Sequence, residues 1–112
     1  MERRRYKKER GDSKLISDII VSLCADYDRR KRVICEKSAS KRVRMEYAYI
    51  NTRILDAAGE TVGLGAAELF IREIGNSVGY AESKIDYMGE PAYKVMKSRI
   101  KKNIAKKLHL WD

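Results

Sequence analysis

The last third of the chain constrains the fold most, because Gly89-Glu90-Pro91 separates two segments of helical character. Proline fits the first turn of a helix, where its missing N–H would have no partner, so Pro91 predicts the start of a new helix. Beyond it, apolar residues recur at every fourth position and place one apolar stripe along that helix, with lysines on its other face. The stripe consists of Ala92, Met96, Ile100, Ile104 and Leu108.

The segment before this break, residues 79–88, is predicted to be a short helix joined to the longer one by a tight turn. Two helices with a connection of about three or four residues, the second basic on its outside, are the layout of a helix-turn-helix. In that motif the second helix enters the DNA major groove as the recognition helix. A solvated helical hairpin has the same spacing, so the pattern leaves both interpretations open.

The charge of the chain is concentrated in three basic segments. The formal net charge is +9, and residues 1–10, 28–44 and 90–112 carry +4, +6 and +5, while the stretches between them are acidic. Such an excess favours a polyanionic partner, in particular nucleic acid. No apolar run approaches the roughly twenty residues that span a bilayer, so we expect a cytoplasmic protein with no membrane partner.

The rest of the chain predicts one helical domain over residues 12–112, preceded by a flexible basic tail over residues 1–11. Asp12 or Ser13 is expected to cap a first helix that continues past Tyr27 to about Cys35, with a break on the way. Two long helices are thus expected over residues 12–58, the second running from an N-cap at Ser40 to a C-cap at Gly59. Over residues 66–112 we expect a helix, ending at Gly75, and then the helix-turn-helix.

No residue pattern predicts catalysis, a metal or a cofactor. Cys24 and Cys35 are too few for a zinc site or a disulfide framework, and we expect both to be reduced and unpaired. Gly63-Leu64-Gly65 lacks the further residues of a nucleotide-binding loop. His109 is the only histidine, and zinc needs three or four ligands. We therefore expect a protein that is not an enzyme.

Three stretches carry a resemblance to a known family, and they come in the family's order: residues 23–31, residues 67–71, and residues 93–97 with 104–108. The chain resembles small phage or prophage transcriptional regulators of the RinA and ArpU kind, whose last part is similar to the fourth region of bacterial sigma factors. Those proteins commonly open the recognition helix with Ser or Thr, whereas Gly89-Glu90-Pro91 stands there in this chain. The resemblance implies sequence-specific DNA binding by the C-terminal helix and regulation of phage or mobile-element genes.

Together these observations predict an all-α bundle of four to five helices with a C-terminal helix-turn-helix, which binds double-stranded DNA as a transcriptional regulator. On a helical wheel, Lys94, Ser98, Lys101, Lys102 and Ala105 are expected to face away from the core, toward DNA. The N-terminal arginines are expected to reach a minor groove as an arm. The predicted DNA-binding residues are Glu90, Tyr93, Lys94, Lys97, Ser98, Lys101 and Lys102, together with Arg3, Arg4, Arg5, Arg29, Arg30 and Arg32.

A second hypothesis fits the same composition. The chain could be a small helical protein-interaction module, such as a phage accessory protein that binds an acidic host factor or RNA polymerase without reading DNA. A homodimer is compatible with both hypotheses, and RNA binding ranks lower because no aromatic platform or Gly-x-x-Gly loop is present. The regulator hypothesis predicts that the lysines of the last helix converge with residues 29–32 on one surface.

Overall fold

The computed structural model describes residues 9–110, with side chains from Ser13 onward, and the regular secondary structure of this part is helical, without strands. The predicted all-α fold is therefore confirmed. Of the predicted basic tail, residues 1–8 lie outside the described residues, and residues 9–11 already belong to the first helix. The helices are α1 (Glu9–Ala25), α2 (Tyr27–Ile34), α3 (Lys41–Val62), α4 (Leu64–Gly75) and α5 (Glu90–Lys107), and a 3₁₀ turn spans Tyr80–Glu82.

The first helix has the expected break, but it ends at Ala25 and does not continue past Tyr27, and the break lies at Asp26, between α1 and α2. There the guanidinium of Arg30 donates a hydrogen bond to the Leu23 carbonyl, and a side chain inserted into the backbone ladder is a known cause of helix kinks. The predicted N-cap at Asp12 or Ser13 is wrong, because both residues lie inside α1.

The start of α3 is confirmed and its predicted end is wrong. The Ser40 hydroxyl accepts a hydrogen bond from the Val43 N–H at 3.1 Å, which is the expected N-cap. The helix passes through Gly59 and ends at Val62, because Gly63 takes the positive φ of 87° that favours glycine. Gly59 instead leaves room for Leu64, whose Cδ2 would lie 2.8 Å from a Cβ at residue 59.

The core is built around α3 and α4. Helix α3 packs against α2, α4 and α5, and α4 also packs against α1, in a flat molecule with extents of 46 × 40 × 20 Å. The ends of α1 and α4 approach so closely that a Cβ at Gly75 would lie 2.5 Å from the Ala25 nitrogen. Cys24 is buried and Cys35 exposed, and both are unpaired in the structure. Fully buried side chains include Ile20, Ile54, Phe70, Ile71, Ile74, Ile100 and Ile104.

The short helix predicted over residues 79–88 is not formed, apart from the 3₁₀ turn, so the C-terminal helix-turn-helix is not confirmed. Side chains take the backbone groups that a helix would use. The Lys84 N–H donates to the Glu73 carboxylate at 2.7 Å, and the Ile85 N–H donates to the Ser83 hydroxyl at 2.9 Å. The bond to Ser83 is local and the bond to Glu73 reaches back to α4, and both compete with helix formation. Residues 76–89 therefore form an irregular connection between α4 and α5.

We expect Ile100→Ala to lower the free energy of unfolding by about 2–5 kcal/mol, because the side chain is fully buried between packed helices. Val95 lies on the same helix with 44% of its surface exposed, so Val95→Ala is the matched control, with an expected change within about 0.5 kcal/mol. Urea unfolding of both variants measures the difference. Equal destabilisation of the two variants would mean that α5 does not pack by this face.

Candidate nucleic-acid interface

The outer face of α5 carries a row of polar and basic side chains that point away from the core. Lys94, Ser98, Arg99, Lys102 and Lys106 are all exposed, and at 3.6 residues per turn they lie within about 140° of one another around the helix axis. Lys94 pairs with Glu90 at 2.9 Å. In the part of the chain that the structure describes, Arg99, Lys102 and Lys106 have no acidic partner.

The inner face of α5 differs in phase from the predicted apolar stripe. Ile100 and Ile104 are buried as predicted, but Ala92 is exposed, and Tyr93 and Ala105 are buried instead. Each step of four residues turns about 40° beyond a full helical turn. Residues placed at every fourth position therefore move gradually from one face of the helix to the next. The prediction that Ala105 faces outward is therefore wrong.

A buried carboxylate at the end of α4 fixes the rotation of α5. Glu73 is 4% exposed, and its carboxylate accepts hydrogen bonds from the Tyr93 hydroxyl, the Ser83 hydroxyl and the Lys84 N–H, each at 2.7 Å. Burial alone would raise the pKa of Glu73, but the three hydrogen bonds outweigh it and hold the pKa below its usual value. The carboxylate is therefore charged in the folded protein at neutral pH.

Tyr93 is the clearest correction among the predicted DNA-binding residues. It is 1% exposed, its ring lies 5.8 Å from that of Phe70, and its hydroxyl is bonded to Glu73. Burial and the neighbouring carboxylate raise the pKa of Tyr93 to about 12. The side chain therefore cannot reach a phosphate or a base edge as predicted.

Two of the predicted DNA-binding lysines, Lys97 and Lys101, also turn toward the protein. Lys97 Nζ donates to the Val78 carbonyl at 2.6 Å and lies 4.8 Å from the centre of the Tyr93 ring, and burial lowers the pKa of Lys97. Lys101 Nζ donates to the Ser17 hydroxyl of α1 at 3.3 Å. Both amines attach α5 to its neighbours, and of the predicted DNA-binding lysines only Lys94 and Lys102 stay exposed.

In the second basic segment, residues 28–44, the cations of residues 29–31 are bonded to other side chains of the protein. Arg30 is 3% exposed and its Nε donates to Asn51 Oδ1 at 2.7 Å. Arg29 forms a bidentate pair with Asp26 at 2.6 and 2.7 Å, which lowers the pKa of the Asp26 carboxyl. Lys31 Nζ pairs with Glu68 of α4 at 2.6 Å. Arg32 is the exposed member of residues 29–32 that has no such partner in the described part of the chain.

The two basic segments do not converge on one surface. Helix α2 contacts Glu68 and Arg72 of α4, where Arg72 pairs with Asp28 at 3.0 Å. Helix α5 contacts Phe70 and Glu73, which lie on the other side of α4. The predicted arm residues Arg3, Arg4 and Arg5 lie outside the described residues.

Arg99 and Lys106 belong to the exposed face of α5, but they were not included among the predicted DNA-binding residues. The outer face of the helix was taken as the side opposite the predicted apolar stripe, and neither residue lies near the middle of that side. Placing Tyr93 inside with Ile100 and Ile104 would have rotated the outer face toward them.

Two further findings and the comparisons bear on the class of protein. Among the described residues there is no group of three or more His, Cys, Asp or Glu side chains that could hold a metal ion. No helix in residues 9–110 is long and apolar enough to cross a membrane.

Comparisons with protein-family models, curated proteins and solved structures find no significant match. The resemblance to RinA and ArpU regulators therefore stays a prediction.

We expect Glu73→Gln to lower the free energy of unfolding by about 2–3 kcal/mol at neutral pH, because it removes a buried charge-assisted acceptor of three hydrogen bonds. The folded-state pKa of Glu73 is lowered, so its stabilising contribution is present above the usual glutamate pKa and is lost as the pH falls through the folded value. The difference between parent and variant should therefore shrink in acid.

Urea unfolding between about pH 3 and 7 measures this difference. Glu82→Gln is the matched control, since Glu82 is exposed and should change stability by less than about 0.5 kcal/mol. A difference for Glu73→Gln that stays constant into acid would contradict a charged, buried carboxylate.

Proposed function

We propose that this protein binds double-stranded DNA through the outer face of α5 and acts as a transcriptional regulator of the phage or mobile-element type. The observation that carries the proposal is the exposure of Arg99, Lys102 and Lys106, which have no acidic partner within residues 13–110. Arg30, Lys31 and Lys97, by contrast, are bonded to an amide, a carboxylate and a carbonyl of the protein. Unpaired cations aligned on one helix face suit a polyanion.

The spacing of these cations fits a DNA backbone. Arg99 and Lys106 are seven residues apart, which is about 10 Å along a helix axis. The major groove is about 12 Å wide and admits a single α-helix, while contacts to phosphate position the protein on the duplex. In this proposal Arg99, Lys102 and Lys106 bind phosphates, and Lys94 and Ser98, nearer the helix start, contact base edges.

A second candidate function is the protein-interaction module. Its supporting observation is the exposed apolar pair Leu15 and Ile19, one turn apart on α1 and 59% and 38% exposed. The absence of convergence between residues 29–32 and α5 also favours it, since a large continuous basic surface is then missing from the described residues. An RNA polymerase subunit or another acidic host factor would be the partner of such a module.

For DNA binding, we expect the affinity for mixed-sequence duplex to fall steeply with salt, because each neutralised phosphate releases counterions. Replacing Arg99, Lys102 and Lys106 together by Ala should reduce the slope of log affinity against log salt by about 0.9 for each phosphate that the variant no longer neutralises. Fluorescence anisotropy from low to physiological salt measures both slopes. The charge-matched control replaces Lys14, Lys37 and Lys41, exposed lysines outside α5 and outside the connection that leads into it, and should leave the slope close to that of the parent.

Two outcomes of that titration separate the candidate functions. Absence of binding at low salt would reject the DNA proposal and favour the interaction module. An equal reduction of the slope in the α5 variant and in the control would mean that binding depends on net charge rather than on this face.

Base contacts by Lys94 and Ser98 lead to a separate prediction. A preferred site is first selected from a random duplex library with the parent protein. Lys94→Ala and Ser98→Ala should then lower the discrimination between this site and random DNA by about 1–3 kcal/mol for each base that the side chain no longer reads, while the fold stays intact. Lys102→Ala, the phosphate-binding control, should weaken binding to both DNAs alike. Unchanged discrimination in both Lys94→Ala and Ser98→Ala would contradict base recognition by α5.

A further inference from the structure

The outward face of α3 is a second surface that the DNA proposal does not use. Met45 and Tyr49 are 62% and 47% exposed, although both are large and mostly apolar. Together with Glu46 and the half-buried Ile50 they line a shallow groove. The residues that α3 buries, such as Ile54, lie on the opposite side of the helix.

Charged residues on this face alternate in sign along the helix, in the order Arg42, Glu46, Arg53 and Asp56. In the described structure neither Arg53 nor Asp56 has an ion-pair partner, and the Arg53 guanidinium lies 4.8 Å from the centre of the Tyr49 ring. Arg42 and Glu46 form an exposed pair at 3.3 Å, a contact of the kind that contributes little to stability. These side chains are therefore available to a partner.

Two copies of this α3 face have complementary charges when the two helices run antiparallel, but not when they run parallel. Arg42 and Asp56 are each seven residues from Tyr49, and Glu46 and Arg53 are three and four residues from it. In an antiparallel pair centred on Tyr49, Arg42 faces Asp56 of the other copy, and Glu46 lies beside Arg53. A parallel pair would set Arg42 against Arg42 and Asp56 against Asp56, which repel.

We propose that this face of α3 binds a second copy of the chain, with the two α3 helices antiparallel about a two-fold axis near Tyr49. Such an axis makes each contact occur twice, so two ion pairs of Arg42 with Asp56 flank an apolar centre of Tyr49 and Met45. The face from residue 42 to 56 is about 21 Å long, which gives a small interface. The dimer is therefore weak, with a dissociation constant on the order of micromolar.

Sedimentation equilibrium of the full chain over a range of concentrations tests this dimer, and it does so without DNA. The mass should rise from one copy toward two. Arg42→Asp and Asp56→Arg should each weaken the dimer at least about tenfold, since each sets like charges together at two equivalent places. The double variant Arg42→Asp with Asp56→Arg should restore it. Lys37→Asp, an equal charge reversal away from this face, is the matched control and should change nothing.

Circular dichroism melts of each variant separate loss of the dimer from loss of the fold. A parent protein that stays a single copy at all concentrations would overturn the proposal. A double variant no better than the single ones would overturn the antiparallel arrangement. A dimer that survives Tyr49→Lys would place the interface on another surface.

Discussion

The hydrogen-bonded carboxylate of Glu73 determines how the C-terminal half of this protein is arranged. A buried charge is tolerated only where donors replace the water that it has lost, and here the donors come from Tyr93 and from two adjacent positions, Ser83 and Lys84. One side chain thus holds both the irregular connection and the first turns of α5 against the end of α4. With Tyr93 turned inward, the rotation of α5 is fixed.

That rotation sorts the cations of α5 into two groups with different roles. Lys97 and Lys101 fall on the side of Tyr93 and bind a carbonyl and a hydroxyl of neighbouring segments. Arg99, Lys102 and Lys106 fall on the other side and remain exposed. Residues 29–32 also contain both kinds of cation: Arg30 is buried and attaches α2 to α3, whereas Arg32 is exposed. Net charge alone therefore overstates the basic surface that a polyanion can reach.

Periodicity and capping residues predicted the all-α fold, the start of α3 at Ser40 and the end of α4 at Gly75, because these features depend on neighbours in sequence. The irregular connection was mispredicted because its backbone is bonded to Glu73, which belongs to the preceding helix. In the candidate interface, Lys94, Ser98 and Lys102 were placed correctly on the outside of α5. Tyr93 and Arg30 were misplaced because amphipathic and charged side chains were assigned to the surface, whereas partners distant in sequence bury both.

The ionisation of Glu73 in the folded protein tests this account most directly. The carboxyl carbon of Glu73 can be followed by ¹³C NMR during an acid titration of the native protein. The account requires the Glu73 resonance to titrate at lower pH than a typical glutamate, because three donors stabilise its charged form. Titration of Glu73 at or above the usual glutamate pKa would mean that the carboxylate does not accept these hydrogen bonds. The rotation of α5 could then not be explained by Glu73.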